Sequence, residues 1–290
     1  ASYILPPETA NYSIRLIPFV SGIGQICLAY AASRMLFPKN SVRQMITIAI
    51  SAILPMNIYM SHYISNESLS ALLMGFSLIL TIRILMRNSV TFLTFIFLGV
   101  SLGLSLLTKF TSFLFMPVIF LVLIYQIVCN SKHSAGEILK ILGSMLLVIF
   151  LISGWFYIRD WVLFGNPMAA NWDPSIIGYG WWQDPGFHTK QYFLSFGSVF
   201  KYPYFSGFYS FFDAIYSTLW GDGYYGGRPG FEERAPWNYE YMSTVYFLAV
   251  PASLAFLLGV WRMAWDMIKN LNRSWFLLLG SVFVVGFAMI

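Results

Sequence analysis

The sequence predicts an all-α polytopic membrane protein, a helical bundle with a large extracytoplasmic loop, and three observations lead to the bundle and its loop. Six apolar stretches of about twenty residues each run almost back to back from Ser13 to Ile158. An 83-residue segment, Arg159 to Tyr241, then breaks the pattern with Trp, Tyr, Gly and Pro. The composition is 58% hydrophobic and 10% charged, with a mean hydropathy of +0.67, far from a soluble domain of this length.

A hydrocarbon core of roughly 30 Å needs about 20 helical residues, because a helix rises about 1.5 Å per residue and satisfies its own backbone in lipid. The candidate spans are 13–36, 43–62, 67–87, 89–108, 110–129, 138–158, 243–264 and 274 onward. The last runs to Ile290 without a polar stop and the chain opens on Ala1, so the sequence reads as a piece of a longer protein. Ala1–Ala10 holds two prolines and Glu8 but no basic stretch, which is not the pattern of a signal peptide. Three regions follow: a transmembrane module of six spans over 1–158, an aromatic-rich loop over 159–241, and C-terminal spans over 242–290.

The net charge of +5 does not indicate nucleic acid, because the basic residues are spread along the chain. A positive-inside bias accounts for them. With the N-terminus outside, Arg34, Lys39, Arg43, Arg83, Arg87, Lys132, Lys140, Arg262, Lys269 and Arg273 all flank short cytoplasmic connections, ten of the seventeen Lys and Arg. The 62–68 connection has none and the 108–110 turn has Lys109 alone. The 159–241 loop carries five Lys and Arg against eight carboxylates, and long loops translocate largely regardless of charge. The expected location is therefore a multi-pass position in the plasma membrane, with the loop and these two turns on the extracytoplasmic side.

Every Lys, Arg, Asp and Glu in or near a span sits close to its end, which disfavours a proton-coupled transporter. Cys27 and Cys129 fall at different depths and have no metal-ligand spacing, so a disulfide is not expected. Polar chemistry gathers at the outer face instead. In His62-Tyr63-Ile64-Ser65-Asn66-Glu67-Ser68, Glu67 is the carboxylate of a short outer connection. It caps and complements the start of a helix, and it is equally placed to bind an acceptor or a divalent metal, with His62 as a second ligand. Two ligands from one loop are fewer than a metal site needs.

Lys109, in the tightest turn of the chain, either snorkels to the interface or faces a lipid phosphate. Trp155, Tyr157 and Trp161 form an interfacial aromatic belt. Between them Arg159 sits at head-group level, where a guanidinium grips phosphate through two parallel hydrogen bonds unless Asp160 neutralises it. The 159–241 region is about 31% aromatic, including Trp172, Trp181, Trp182, Trp220 and Trp237. Such density suits amphipathic helices lying on the bilayer, as over Tyr192–Phe212, with a minority of rings stacking on sugars or lining a polyprenyl cleft. Gly221-Asp222-Gly223-Tyr224-Tyr225-Gly226-Gly227-Arg228 is a turn whose Asp222 and Arg228 can close over a substrate. It lacks the spacing of a nucleotide-binding loop, so no nucleotide cofactor is expected.

The order of these pieces resembles the membrane-embedded glycosyltransferases of the GT-C superfamily, particularly bacterial and archaeal relatives of protein mannosyltransferases and of the aminoarabinose transferase acting on lipid A. The resemblance rests on Arg15–Pro38, Pro55 through Asn66-Glu67, Gly103–Pro117 around Thr108-Lys109-Phe110-Thr111, and Trp155–Pro167. It makes the six early spans helices two to seven of the family module. It implies transfer of a sugar from a polyprenyl-phosphate donor, with inversion, to a protein, lipid or glycan acceptor on the outer side. A carboxylate near the acceptor hydroxyl would act as base, and cations or a metal would stabilise the leaving phosphate. The resemblance places that base in a loop preceding Ala1, so this piece alone is expected to be inactive. Glu67 matches the family's second, supporting acidic position, with Asn66, Lys109, Arg159, Asp222 and Arg228 as substrate-binding residues. A transporter or flippase of a lipid-linked sugar and a non-catalytic assembly subunit are the competing classes.

Overall fold

The computed structural model describes residues 7–86, 91–130, 134–168, 189–203, 206–221 and 239–270. All regular structure among them is helical, in two compact units, one within 7–53 and 57–168 and the other within 189–270. The chain first forms α1 (Pro7–Leu36), α2 (Ser41–Ile53), α3 (Pro55–His62), α4 (Glu67–Met86) and α5 (Phe92–Thr108). A 3-10 turn (Phe110–Leu114), α6 (Phe115–Asn130), α7 (Ala135–Ile149), a π turn (Phe150–Gly154) and α8 (Trp155–Phe164) follow.

Five stretches among the described residues are long and apolar enough to cross a membrane: Tyr12–Leu36, Glu67–Met86, Phe110–Val128, Gly136–Phe164 and Glu240–Asp266. The expected span over 43–62 is broken into α2 and α3, bent by 50°. The cause is Pro55, which has no N–H for the Ser51 carbonyl and whose ring crowds it. The side-chain amide of Asn57 fills the vacancy, donating to Ser51 O at 2.9 Å. The span over 89–108 is shorter than expected, since α5 has 17 residues. The stretch expected over 138–158 is longer: helix continues through the π turn to Phe164. Nothing stops it before Gly165, whose φ of 68° is the left-handed cap that glycine adopts without strain. Arg159 and Asp160 therefore lie within a helix.

Alternating directions bring α4 against α1 and α5, and α5 against α7. Met74, Leu98, Leu102, Ile119, Leu123 and Met145 are among the buried side chains joining α4, α5, α6 and α7. Gly99 and Gly103 form a small-residue pair one turn apart on α5, facing α7. A Cβ on Gly103 would stand 3.0 Å from Ile152 Cβ, and one on Gly99 3.2 Å from Met145 O. The close approach of these helices thus depends on the missing side chains.

Hydroxyls inside the spans bond mostly to their own helix. Ser21 donates to Ile17 O, Ser51 to Thr47 O, Thr81 to Ser77 O and Ser153 to Ile149 O, each four residues back. Others cross between helices: Ser101 donates to Leu73 O, and Ser70 and Ser112 share a hydrogen bond.

The second unit holds α9 (Lys190–Leu194), a 3-10 turn (Ser198–Phe200), α10 (Ser206–Tyr209), α11 (Phe211–Trp220), α12 (Tyr239–Leu248) and α13 (Val250–Asn270). Over Tyr192–Phe212, where amphipathic surface helices are expected, the described residues form short helical pieces. Gly197, at φ 112°, turns the chain. Fully buried Asp213 then accepts from the amides of Gly197, Ser198 and Val199 and from the Ser210 hydroxyl. Tyr216 donates its hydroxyl to Tyr246 O, and Trp220 its indole N–H to Ser253 Oγ at 2.7 Å. Arg87, Lys132, Arg273, Trp172, Trp181, Trp182, Trp237, Asp222, Arg228 and the span from Ser274 onward lie outside the described residues.

Candidate functional site

Helix α4 opens on Glu67, whose amide donates to Ser65 Oγ at 3.3 Å, while the carbonyl of Asn66 accepts the first intrahelical bond from Ser70 N. A carboxylate in this first turn lies in the positive field of the free helix amides. The Asn66 side chain is thereby left pointing away from its helix, and it donates to Thr108 O at 2.7 Å.

The partner segment is the reversal between α5 and the 3-10 turn, made by a single extended residue, Lys109, at φ −153° and ψ 122°. Its amide donates to Ser105 O and its carbonyl accepts from Ser112 N, so both flanking helices fix its backbone. Its ammonium reaches both oxygens of Glu67, at 2.5 and 2.6 Å. The side chains are 27% and 41% exposed, so the pair sits at an accessible rim. Residues 42 positions apart are thus joined twice, by an ion pair and by an amide clasp.

Neighbouring helices are drawn to the same end. Ser68 donates to Pro18 O at 3.1 Å and Gln25 donates to Ser68 O at 2.9 Å, which docks α1. Tyr157 donates to Leu106 O at 2.9 Å, which docks α8. Sequence reasoning missed Gln25, Ser68 and the backbone role of Tyr157, which reads as an ordinary belt aromatic.

A cavity of about 410 Å³ lies between the α5 end, the 3-10 turn and the π turn. Leu106, Phe110, Met116, Phe150, Tyr157 and Trp161 are among its walls. Ser153 and Tyr157 turn their hydroxyls to backbone carbonyls, which leaves the lining apolar. Lys109 stands directly beside one wall residue, Phe110. Arg159 is exposed and falls outside the face of α8 formed by Gly154, Tyr157, Ile158 and Trp161. Its guanidinium is 3.9 Å from the buried carboxylate of Asp160.

His62 ends α3, with Nδ1 at 2.8 Å from Ile58 O and its ring edge against Phe19. Among the described residues no three His, Cys, Asp or Glu side chains gather where one metal ion would meet them. With both Glu67 oxygens held by Lys109, the described residues do not make a metal site.

The apolar spans define an integral multi-pass membrane protein, with a polar cluster at one bundle end and an apolar cavity among its helices. Residues 8–158 match the model of the dolichyl-phosphate-mannose-protein mannosyltransferase family, and this chain belongs to that family of membrane glycosyltransferases. No curated protein and no solved structure matches the chain.

Proposed function

We propose that the protein transfers a sugar from a polyprenyl-phosphate-linked donor to an acceptor hydroxyl on the extracytoplasmic side, with inversion at the anomeric carbon. The family match over 8–158 carries this reading. The geometry supports it with an apolar cavity suited to part of a prenyl chain, one of whose wall residues, Phe110, follows Lys109 in sequence.

In the reaction the acceptor oxygen attacks the anomeric carbon from the face opposite the phosphate. A new C–O bond forms, the old one breaks with its electron pair, and the lipid phosphate leaves as an anion. The hydroxyl proton passes to a carboxylate base. No general acid is needed on the leaving side; cations there offset the developing charge. Lys109 is assigned to that phosphate and Glu67 to a supporting acidic role. Asn66 positions both by holding the α4 start to the α5 end. Arg159, on the exposed side of α8, is a second cation at the same bundle end.

The test uses the full-length protein in lipid nanodiscs with a radiolabelled polyprenyl-phosphate sugar. Sugar transfer with inverted anomeric configuration, reduced at least tenfold in Glu67→Ala and Lys109→Met, is the expected result. Treating the wild type with EDTA and restoring Mg²⁺ or Mn²⁺ shows whether a metal belongs to the reaction. Movement of the donor across the bilayer without any new glycosidic bond would replace this reading with transport.

A further inference from the structure

Glu67 and Lys109 are each assigned a partner in the reaction, yet in this structure they are each other's partner. The ammonium that would meet the leaving phosphate lies on both carboxylate oxygens at 2.5 and 2.6 Å. The carboxylate that would meet the incoming substrate is covered by the same contact. Both functions cannot be served while the pair is closed.

Three features make the pair separable. Both side chains reach solvent, so the contact is weakly held in comparison with a buried ion pair. Glu67 keeps a stabilising field without Lys109, because it lies in the first turn of the 20-residue helix α4. The backbones stay in place when the lysine leaves, since Asn66 donates to Thr108 O and Lys109 is fixed through Ser105 O and Ser112 N. Opening therefore requires rotation of one flexible four-carbon stem and no helix movement.

Leu106 and Phe110, on either side of Lys109 in sequence, are wall residues, so the backbone of the lysine runs along the cavity wall. The donor is a phosphodiester with one negative charge; when its sugar leaves, the lipid phosphate becomes a monoester, with more negative charge than a carboxylate and three terminal oxygens. We propose that the Glu67–Lys109 pair is an exchangeable lock: the lipid phosphate monoester formed as the sugar leaves takes Lys109, and Glu67 is released from it. The inference rests on the donor reading above, and it adds that Lys109 exchanges Glu67 for the lipid phosphate as the sugar leaves.

The experiment measures binding of farnesyl phosphate to the full-length protein in neutral nanodiscs, with farnesol, inorganic phosphate and phosphatidylglycerol as comparison probes. Removing the competitor should help the ligand. Glu67→Gln is expected to tighten farnesyl phosphate binding about two- to fivefold, the range that an exposed ion pair accounts for. Lys109→Met should lose the preference for farnesyl phosphate over farnesol, and Glu67→Gln with Lys109→Met should match Lys109→Met alone. Glu67→Asp, which keeps the charge and weakens the contact, should fall between wild type and Glu67→Gln and serves if Glu67→Gln does not fold. Unchanged or weaker binding in well-folded Glu67→Gln and Glu67→Asp overturns the lock. A gain confined to phosphatidylglycerol or to inorganic phosphate also overturns it, as the competitor is then a membrane head group or a free ion. Sugar transfer is assayed in parallel: transfer without the gain removes the lock and leaves the proposed function, and the gain without transfer does the reverse.

Discussion

At the residue scale, the proposed function rests on two side chains 42 residues apart, and their contact is not readable from the chain. Glu67 and Lys109 stood out separately, one as the acid of a short connection and the other as the cation of the tightest turn. That they meet depends on α4 running antiparallel to α5, joined by the Ser101 to Leu73 bond, and on the Ser70–Ser112 bond that holds α4 to the 3-10 turn. A double-mutant cycle of Glu67→Gln and Lys109→Met should give a coupling of about 0.2–1 kcal/mol, the size expected of a partly exposed pair. Thermal unfolding in nanodiscs measures it, and additive effects would mean that the contact contributes no stability. Asp160 was readable only as a neighbour of Arg159. Its burial follows from the helix continuing past Ile158, which the apolar count did not predict because Arg159 looks like a stop.

At the scale of elements, the spans were legible where length and apolarity alone decide, and less so where one residue redirects the helix. Pro55 divides a span, and Asn57 repairs the lost bond. Asn57→Ala should cost about 1 kcal/mol by leaving the Ser51 carbonyl unpaired. In a Pro55→Ala background the cost should shrink, because a backbone N–H becomes available to that carbonyl; equal costs in both backgrounds would falsify this account of the bend. The contact of α5 with α7 is set by absence of side chains. Gly103→Leu should lower the thermal midpoint through about 1–3 kcal/mol of overpacking, whereas Leu104→Ala, at an exposed position of the same helix, should change it little. In the second unit, Asp213→Ala strips three amides and a hydroxyl of their acceptor at once. Faster proteolysis within 189–221, with the first unit remaining intact, is the expected outcome.

For the whole molecule, composition and charge order settled the class before any contact was known. Apolar side chains such as Leu139, Leu151, Val162, Leu254 and Leu258 stay largely exposed, as lipid-facing positions do. The arrangement of charges predicts sidedness, and single cysteines check it in a chain whose two native cysteines are replaced. Ser65→Cys should react with a membrane-impermeant maleimide added to intact cells, and Lys39→Cys only after permeabilisation. The reverse labelling pattern would move the proposed site to the cytoplasmic side.

The hydroxyls that bond one turn back on their own helix bear on how the chain enters the bilayer during synthesis. Ser21, Ser51, Thr81 and Ser153 bring no unmet polar group with them, so their helices can leave the translocon for lipid one at a time. The cross-helix bonds of Gln25, Asn66 and Lys109 form later, after α4 and α5 have both been released. Biogenesis then has two stages, and assembly of the Glu67–Lys109 pair belongs to the second.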